Sequence, residues 1–168
     1  ILYWMAMTFF APVPWEATTS YGRGTAQAPA ASARASVQLE LFDLRFGRPD
    51  RAGIVLMPVD ADLERHAEEA AARASRVIEA FARGIAGAAL DEPTRRDLAR
   101  VNELSAWLDG WLEAAESTAS ARGKLVGVVG GDHSAAYGSI AAHARARPGL
   151  GILQIDAHAD LRTAYQGF

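Results

Sequence analysis

Cysteine is absent from the 168-residue sequence. That absence excludes disulfides, thiolate metal sites and cysteine nucleophiles together, so any metal must be held by His and carboxylates. It also agrees with a reducing cytoplasm, the expected location. Clustered positive charge is missing as well: 17 Lys and Arg are scattered among 20 Asp and Glu, for a formal net charge of −3. A nucleic-acid partner, which depends on concentrated Lys and Arg, is therefore not expected. Long apolar runs are lacking too. The best candidate, Ile1 to Val13, has no basic flank, runs into Pro14 and Glu16, and offers no small-residue cleavage site. At about 13 residues it is shorter than the ~20 that span a bilayer. It reads as a buried strand near the N-terminus, and no membrane partner is expected.

What remains is the composition of a globular domain: 50% hydrophobic and 22% charged residues. Thr8 to Val13 reads as a buried strand, followed by a Gly/Ser/Thr/Pro-rich loop over residues 14–29 that holds Glu16, Tyr21 and Arg23. A loop of that length in a compact domain is usually functional, although glycine-rich turns also need polar neighbours for structural reasons. Ala30 to Ser36 suits a short helix, Val37 to Leu44 alternates as a half-exposed strand, and Gly53 to Val59 is a third apolar run. The period then changes. Leu63, Ala67, Ala70, Ala74, Val77, Ile78, Phe81 and Ile85 recur at three and four, which predicts an amphipathic helix over 60–85. A second helix follows Asp91-Glu92-Pro93, with Leu98, Val101, Leu104, Leu108 and Leu112 on one face and Trp107 and Trp111 beside them as packing residues. Leu125 to Val129 is a short buried strand, Ser134 to Arg147 a helix, and Gly151 to Ile155 another buried strand. Buried runs alternating with helices predict βαβ units around a mostly parallel sheet, an α/β fold.

The chemistry gathers at the ends of the last two strands. Asp156, His158 and Asp160 stand at i, i+2 and i+4, and an extended chain projects such residues to one face. Ligands of open α/β sheets collect outside the carboxyl ends of the strands, where this triplet falls. Val128 to Ser134 has the same layout: an apolar strand, Gly130-Gly131 for a sharp turn, then Asp132-His133 opening a helix. A phosphate cradle is the weaker reading of this turn, because no Gly-Lys-Ser/Thr and no G-x-G-x-x-G pattern accompanies it. Oxygen-rich positions with two imidazoles and no sulfur suit Mn²⁺ better than structural zinc. His66 and His143 lie on predicted helices, where packing or solvation is the expected role.

These residues carry a resemblance. GGDHS at 130–134 and DAHADLR at 156–162 resemble the two N-terminal signature motifs of the ureohydrolases: arginases, agmatinases, formiminoglutamases and guanidino-acid hydrolases. VPWEATTSYGRGT at 13–25, followed by QLELFD at 38–43, is similar to the agmatinase branch. The resemblance implies a three-layer arginase/deacetylase-like α/β fold with a mostly parallel sheet, incomplete here, with residues 1–168 forming the N-terminal part of a single domain. It implies two Mn²⁺ ions, with His133 and Asp160 on one, His158 on the other, Asp156 bridging them, and Asp132 in a supporting role. It implies hydrolysis of a small guanidine to urea and an amine, most simply agmatine to putrescine and urea, in a homo-oligomer.

Family enzymes continue with a Ser-His segment, an Asp-x-Asp motif that supplies more ligands, and a Glu that holds the guanidinium. These are expected beyond residue 168, so the proton shuttle and the substrate contacts have no assignment here, and this chain alone is expected to bind manganese weakly and not to turn over. Arginases place Asn where this chain has Arg162. That departure argues against arginine. An Arg there suits an agmatinase, pairs with the carboxylate of a guanidino acid or formiminoglutamate, or makes a structural contact away from the pocket. Two other readings stand beside the hydrolase: a non-catalytic metal-binding module, and a histone-deacetylase-like zinc amidohydrolase, which GGDHS and SYGRGT disfavour.

Overall fold

In a computed structural model, residues 7–19 and 21–168 are described. The beginning of the apolar N-terminal run and Ser20 of the glycine-rich loop lie outside them. Among the described residues, β1 (Thr8–Val13), β2 (Ile54–Leu56) and β3 (Leu125–Gly130) form one sheet in the order β2-β1-β3, with both pairings parallel. Phe9 stands beside Val55 on one side and Val126 on the other, and Val13 reaches Gly130. The expected α/β class and parallel sheet are both present.

Four helices accompany the sheet: α1 (Ala28–Ala35), α2 (Ala61–Ala82), α3 (Glu92–Ser120) and α4 (Ser134–Ala146). The ends of the two long helices follow from their first residues. Asp60 accepts hydrogen bonds from the amides of Asp62 and Leu63 at 2.8 and 3.1 Å, and Asp91 accepts from Thr94 at 2.9 Å. Each satisfies amides that an isolated helix leaves unpaired. The predicted stripes are the packed ones. Leu63, Ala67 and Ala70 of α2 meet Leu104, Leu108 and Leu112 of α3 in a core that includes Val13 and Trp15. Charges at its edge are paired, mostly across the two helices: Asp97 receives Arg73 and Arg76 from α2, and Glu69 receives Arg100 from α3 and Arg73 from its own helix. Ile85 falls beyond the end of α2 and stays partly exposed.

Two expected strands do not form. Val37 to Leu44 becomes a 3₁₀ turn over Ser36–Gln38 followed by irregular chain. Asp43 closes that chain by accepting from the amides of Arg45 and Phe46 at 2.7 and 2.8 Å. Gly151 to Ile155 is likewise unpaired, and Leu153 and Ile155 are 86% and 91% exposed. The physical reason is the same for both. A strand satisfies its backbone only through a neighbour's ladder, so an alternating or apolar pattern is an instruction that needs a partner.

Candidate metal centre

The turn after β3 is built by close backbone approach. Gly131 donates its amide to the Val13 carbonyl at 3.1 Å, and Asp132 donates to the Trp15 carbonyl at 2.8 Å. A side chain at Gly131 would collide with the Trp15 carbonyl, so glycine is required there. The half-buried Asp132 carboxylate accepts from the amides of Ser134 at 3.0 Å and Thr18 at 3.4 Å. Burial raises its pKa while these hydrogen bonds oppose the rise. Asp132 thus fastens the N-terminal loop to the turn, and the next side chain, His133, faces outward at 74% exposure.

His133 meets the 156–160 segment there. Its Nε2 lies 3.2 Å from Asp156 Oδ2 and its Nδ1 lies 3.6 Å from Asp160 Oδ2. One ligand atom each from His133, Asp156 and Asp160 can be chosen so that all lie within 4.8 Å of one another. His158 is not in this group, but its ring Nδ1 is 3.4 Å from Asp156 Oδ1 and its amide donates to that oxygen at 2.8 Å. That amide, then the positive potential of His133, holds the Asp156 carboxyl below its ordinary pKa. Convergence is not achieved by strand alternation, because the segment bends at Ala157-His158 and Asp160 adopts a left-handed backbone with φ 48°. Asp tolerates that conformation better than most residues.

Gln154 is a member of this cluster that sequence reasoning missed. Its Nε2 donates to Asp160 Oδ2 at 3.0 Å and to the His158 carbonyl at 3.3 Å. Its place two residues before Asp156 in the same period-two series was a positional hint, with no chemical signal beside it. The donor set fits a divalent ion. Imidazole and carboxylate are both ligands of divalent ions, and adjacent donors around an octahedral ion, at bonds of about 2.1 Å, stand roughly 3 Å apart.

A family model described as the arginase family matches residues 7–168. The chain belongs to the arginase family. N(1)-aminopropylagmatine ureohydrolase of Synechocystis sp. is 30% identical over 160 residues, 93% of this chain and 41% of that protein. Human Arginase-1 is 54% identical over 41 residues, 24% of this chain and 13% of that protein. Mitochondrial Arginase-2 of Bos taurus is 60% identical over 35 residues, 21% of this chain and 10% of that protein. The chain spans less than half the length of these relatives. No solved structure gives a significant match. Among the described residues, no helix of this arginase-family chain is long and apolar enough to cross a membrane.

The remaining candidates have structural places. Glu16 caps the glycine-rich loop, accepting from the amides of Gly24 at 2.6 Å and Ala26 at 3.0 Å, and it pairs with Arg23 at 3.4 Å. Tyr21 points into solvent. Arg162 places its guanidinium 4.7 Å from the Tyr165 ring centre, a cation–π contact. His66 packs edge-on against Trp107 at 4.2 Å, and His143 contacts Glu116 and Arg147.

Proposed function

We propose that this chain is the N-terminal part of a single ureohydrolase domain. Its complete form would hydrolyse a linear guanidine to urea and an amine with two Mn²⁺ ions. The observation that carries the reading is the convergence of His133, from the end of β3, with Asp156 and Asp160 from a separate segment. His133 and Asp160 would hold one ion, His158 the other, and Asp156 both. When bound, the ions supply Lewis acidity and a nucleophile at neutral pH, which a resonance-stabilised guanidinium carbon and neutral water both lack. The protein's part is to keep Asp156 ionised through the His158 amide, to orient Asp160 through Gln154, and to anchor the turn through Asp132.

Agmatine is the preferred substrate in this reading. The similarity that runs along 93% of the chain is to an enzyme named for an agmatine derivative, whereas the arginase similarities cover about a third or less. Arg162, in place of the arginase Asn, supports the same choice. A cytoplasmic homo-oligomer acting on a small guanidine completes the proposal.

The test is urea release by the Mn²⁺-loaded complete protein from agmatine, arginine, guanidinobutyrate and formiminoglutamate. Agmatine should be turned over fastest, and His133→Ala or Asp156→Asn should remove nearly all of that activity, by 10²-fold or more at about 3 kcal/mol of lost transition-state stabilisation. Full activity in either variant refutes the site. The 168-residue chain by itself, with three converging donors for an ion that prefers six, should show only weak Mn²⁺ binding by calorimetry and no urea release.

A further inference from the structure

Glu116 of α3 is 1% exposed, yet it does not meet the guanidinium groups that neutralise Asp97 on the same helix. Its partners come from α4. Ser139 Oγ donates to Oε1 at 2.6 Å, and His143 Nε2 lies 3.5 Å from Oε2. Ser139 and His143 are four residues apart, so they lie on the same face of α4, one turn from each other. Arg147 Nη1 approaches His143 Nδ1 at 3.0 Å. A guanidinium can only donate, so Nδ1 accepts and the ring proton sits on Nε2, facing Glu116. One carboxylate oxygen of Glu116 is therefore held by a donor from α4, Ser139, while the other faces the His143 ring at 3.5 Å. Oε2 has almost no accessible surface and no close hydrogen bond, so an ion from solvent cannot take the place of His143.

Apart from an Arg145–Glu113 ion pair at its solvent-exposed rim, the rest of the α3–α4 contact has little relief. Ala135, Gly138 and Ala142 are the buried residues of α4. Any side chain at Gly138 would strike the Asp109 carbonyl and Leu112. Small residues let the helices approach closely but provide few knobs to fix how far along its axis α4 sits. A buried polar contact is the device that specifies register in such packings. The register matters because α4 begins at Ser134, directly after His133. A slip of one residue moves a helix about 1.5 Å along its axis, nearly half the 3.2 Å separation between His133 and Asp156.

We infer that Glu116 is a positioning residue: gripped by Ser139 and enclosed beside His143, it sets the axial register of α4 on α3 and thereby holds His133 opposite Asp156 and Asp160. The consequence for metal binding rests on the proposed function; the register does not. Glu116→Met combined with Ser139→Ala tests it in the complete protein, since replacing both partners of a buried polar contact by apolar residues often preserves or raises stability, and the His143 side chain, 33% exposed, can turn to water. Melting temperature should stay the same or rise, Mn²⁺ affinity by calorimetry should fall about tenfold or more, and a crystal structure should show α4 displaced along its axis. Glu116→Gln, which keeps an acceptor for Ser139, should restore most of the affinity. Ser139→Ala alone provides the same readouts if the double variant does not fold. A folded variant with α4 in place and unchanged Mn²⁺ affinity overturns the inference. A wild-type protein that binds no Mn²⁺ overturns the metal reading instead, and the position of α4 in the variant crystal then decides the register on its own.

Discussion

The α2–α3 pair and the 130–168 segment are opposites. The helical pair contains none of the recognisable motifs, yet its apolar stripes close into a core and its buried Asp97 and half-buried Glu69 are matched by arginines. The later segment contains both motifs, yet Ile152, Leu153, Ile155 and Leu161 lie open to solvent beside the metal cluster. The difference comes from where each element finds its hydrogen bonds. A helix satisfies its backbone internally and asks its neighbours only for an apolar face, so two helices suffice for each other. A strand asks for a ladder, and a metal site asks for charge rather than packing. Motifs thus mark chemistry, whereas burial marks the part of the chain that holds itself together.

That contrast can be broken most forcefully at Leu108, which is fully buried between the helices and the sheet. Leu108→Ala should lower unfolding free energy by about 3 kcal/mol in urea melts, through lost transfer energy and a residual cavity. Next in size is Gly131→Ala, where the added methyl meets the Trp15 carbonyl. A destabilisation of about 2 kcal/mol is expected, together with weaker Mn²⁺ binding, because the turn that presents His133 must shift. A smaller effect belongs to pH. The Arg100 side chain, then Arg73, hold the Glu69 carboxyl at about 2 against an ordinary 4.5. A carboxylate with a depressed folded pKa contributes stability that is complete above the unfolded value and is lost as pH falls toward the folded one. The melting-temperature advantage of the wild type over Glu69→Gln should therefore be constant above about pH 5 and shrink between about 4.5 and 2. The smallest effect is expected at Ile155→Ser, within roughly 0.5 kcal/mol, because an exposed side chain has little burial to lose. A loss of several kcal/mol there would show that the segment is packed in solution and would erase the contrast.

Legibility followed the same division. The stripes of α2 and α3, the start of α3 after Asp91-Glu92-Pro93, and the strands at Thr8 to Val13 and Leu125 to Val129 were readable because period and residue type are local. Val37 to Leu44 and Gly151 to Ile155 were misread because their patterns describe a strand that has found a partner, and no partner strand accompanies either of them here. In the site, His133, Asp156, His158 and Asp160 were visible from motif and spacing. Gln154 was overlooked because an amide before a motif carries no chemical signature until its donors are seen on Asp160 and the His158 carbonyl.

The sequence by itself determined the α/β class, the family resemblance, the donor chemistry without sulfur and the two long helices, all of which depend on residue type and short-range spacing. Only the tertiary structure decided that the His133 ring reaches the carboxylates of Asp156 and Asp160. It alone revealed that Asp132 ties the turn to Thr18 and that Glu116 joins α3 to α4. Those are contacts between residues 23 to 114 positions apart. Chain folding creates such proximity, and no local pattern encodes it.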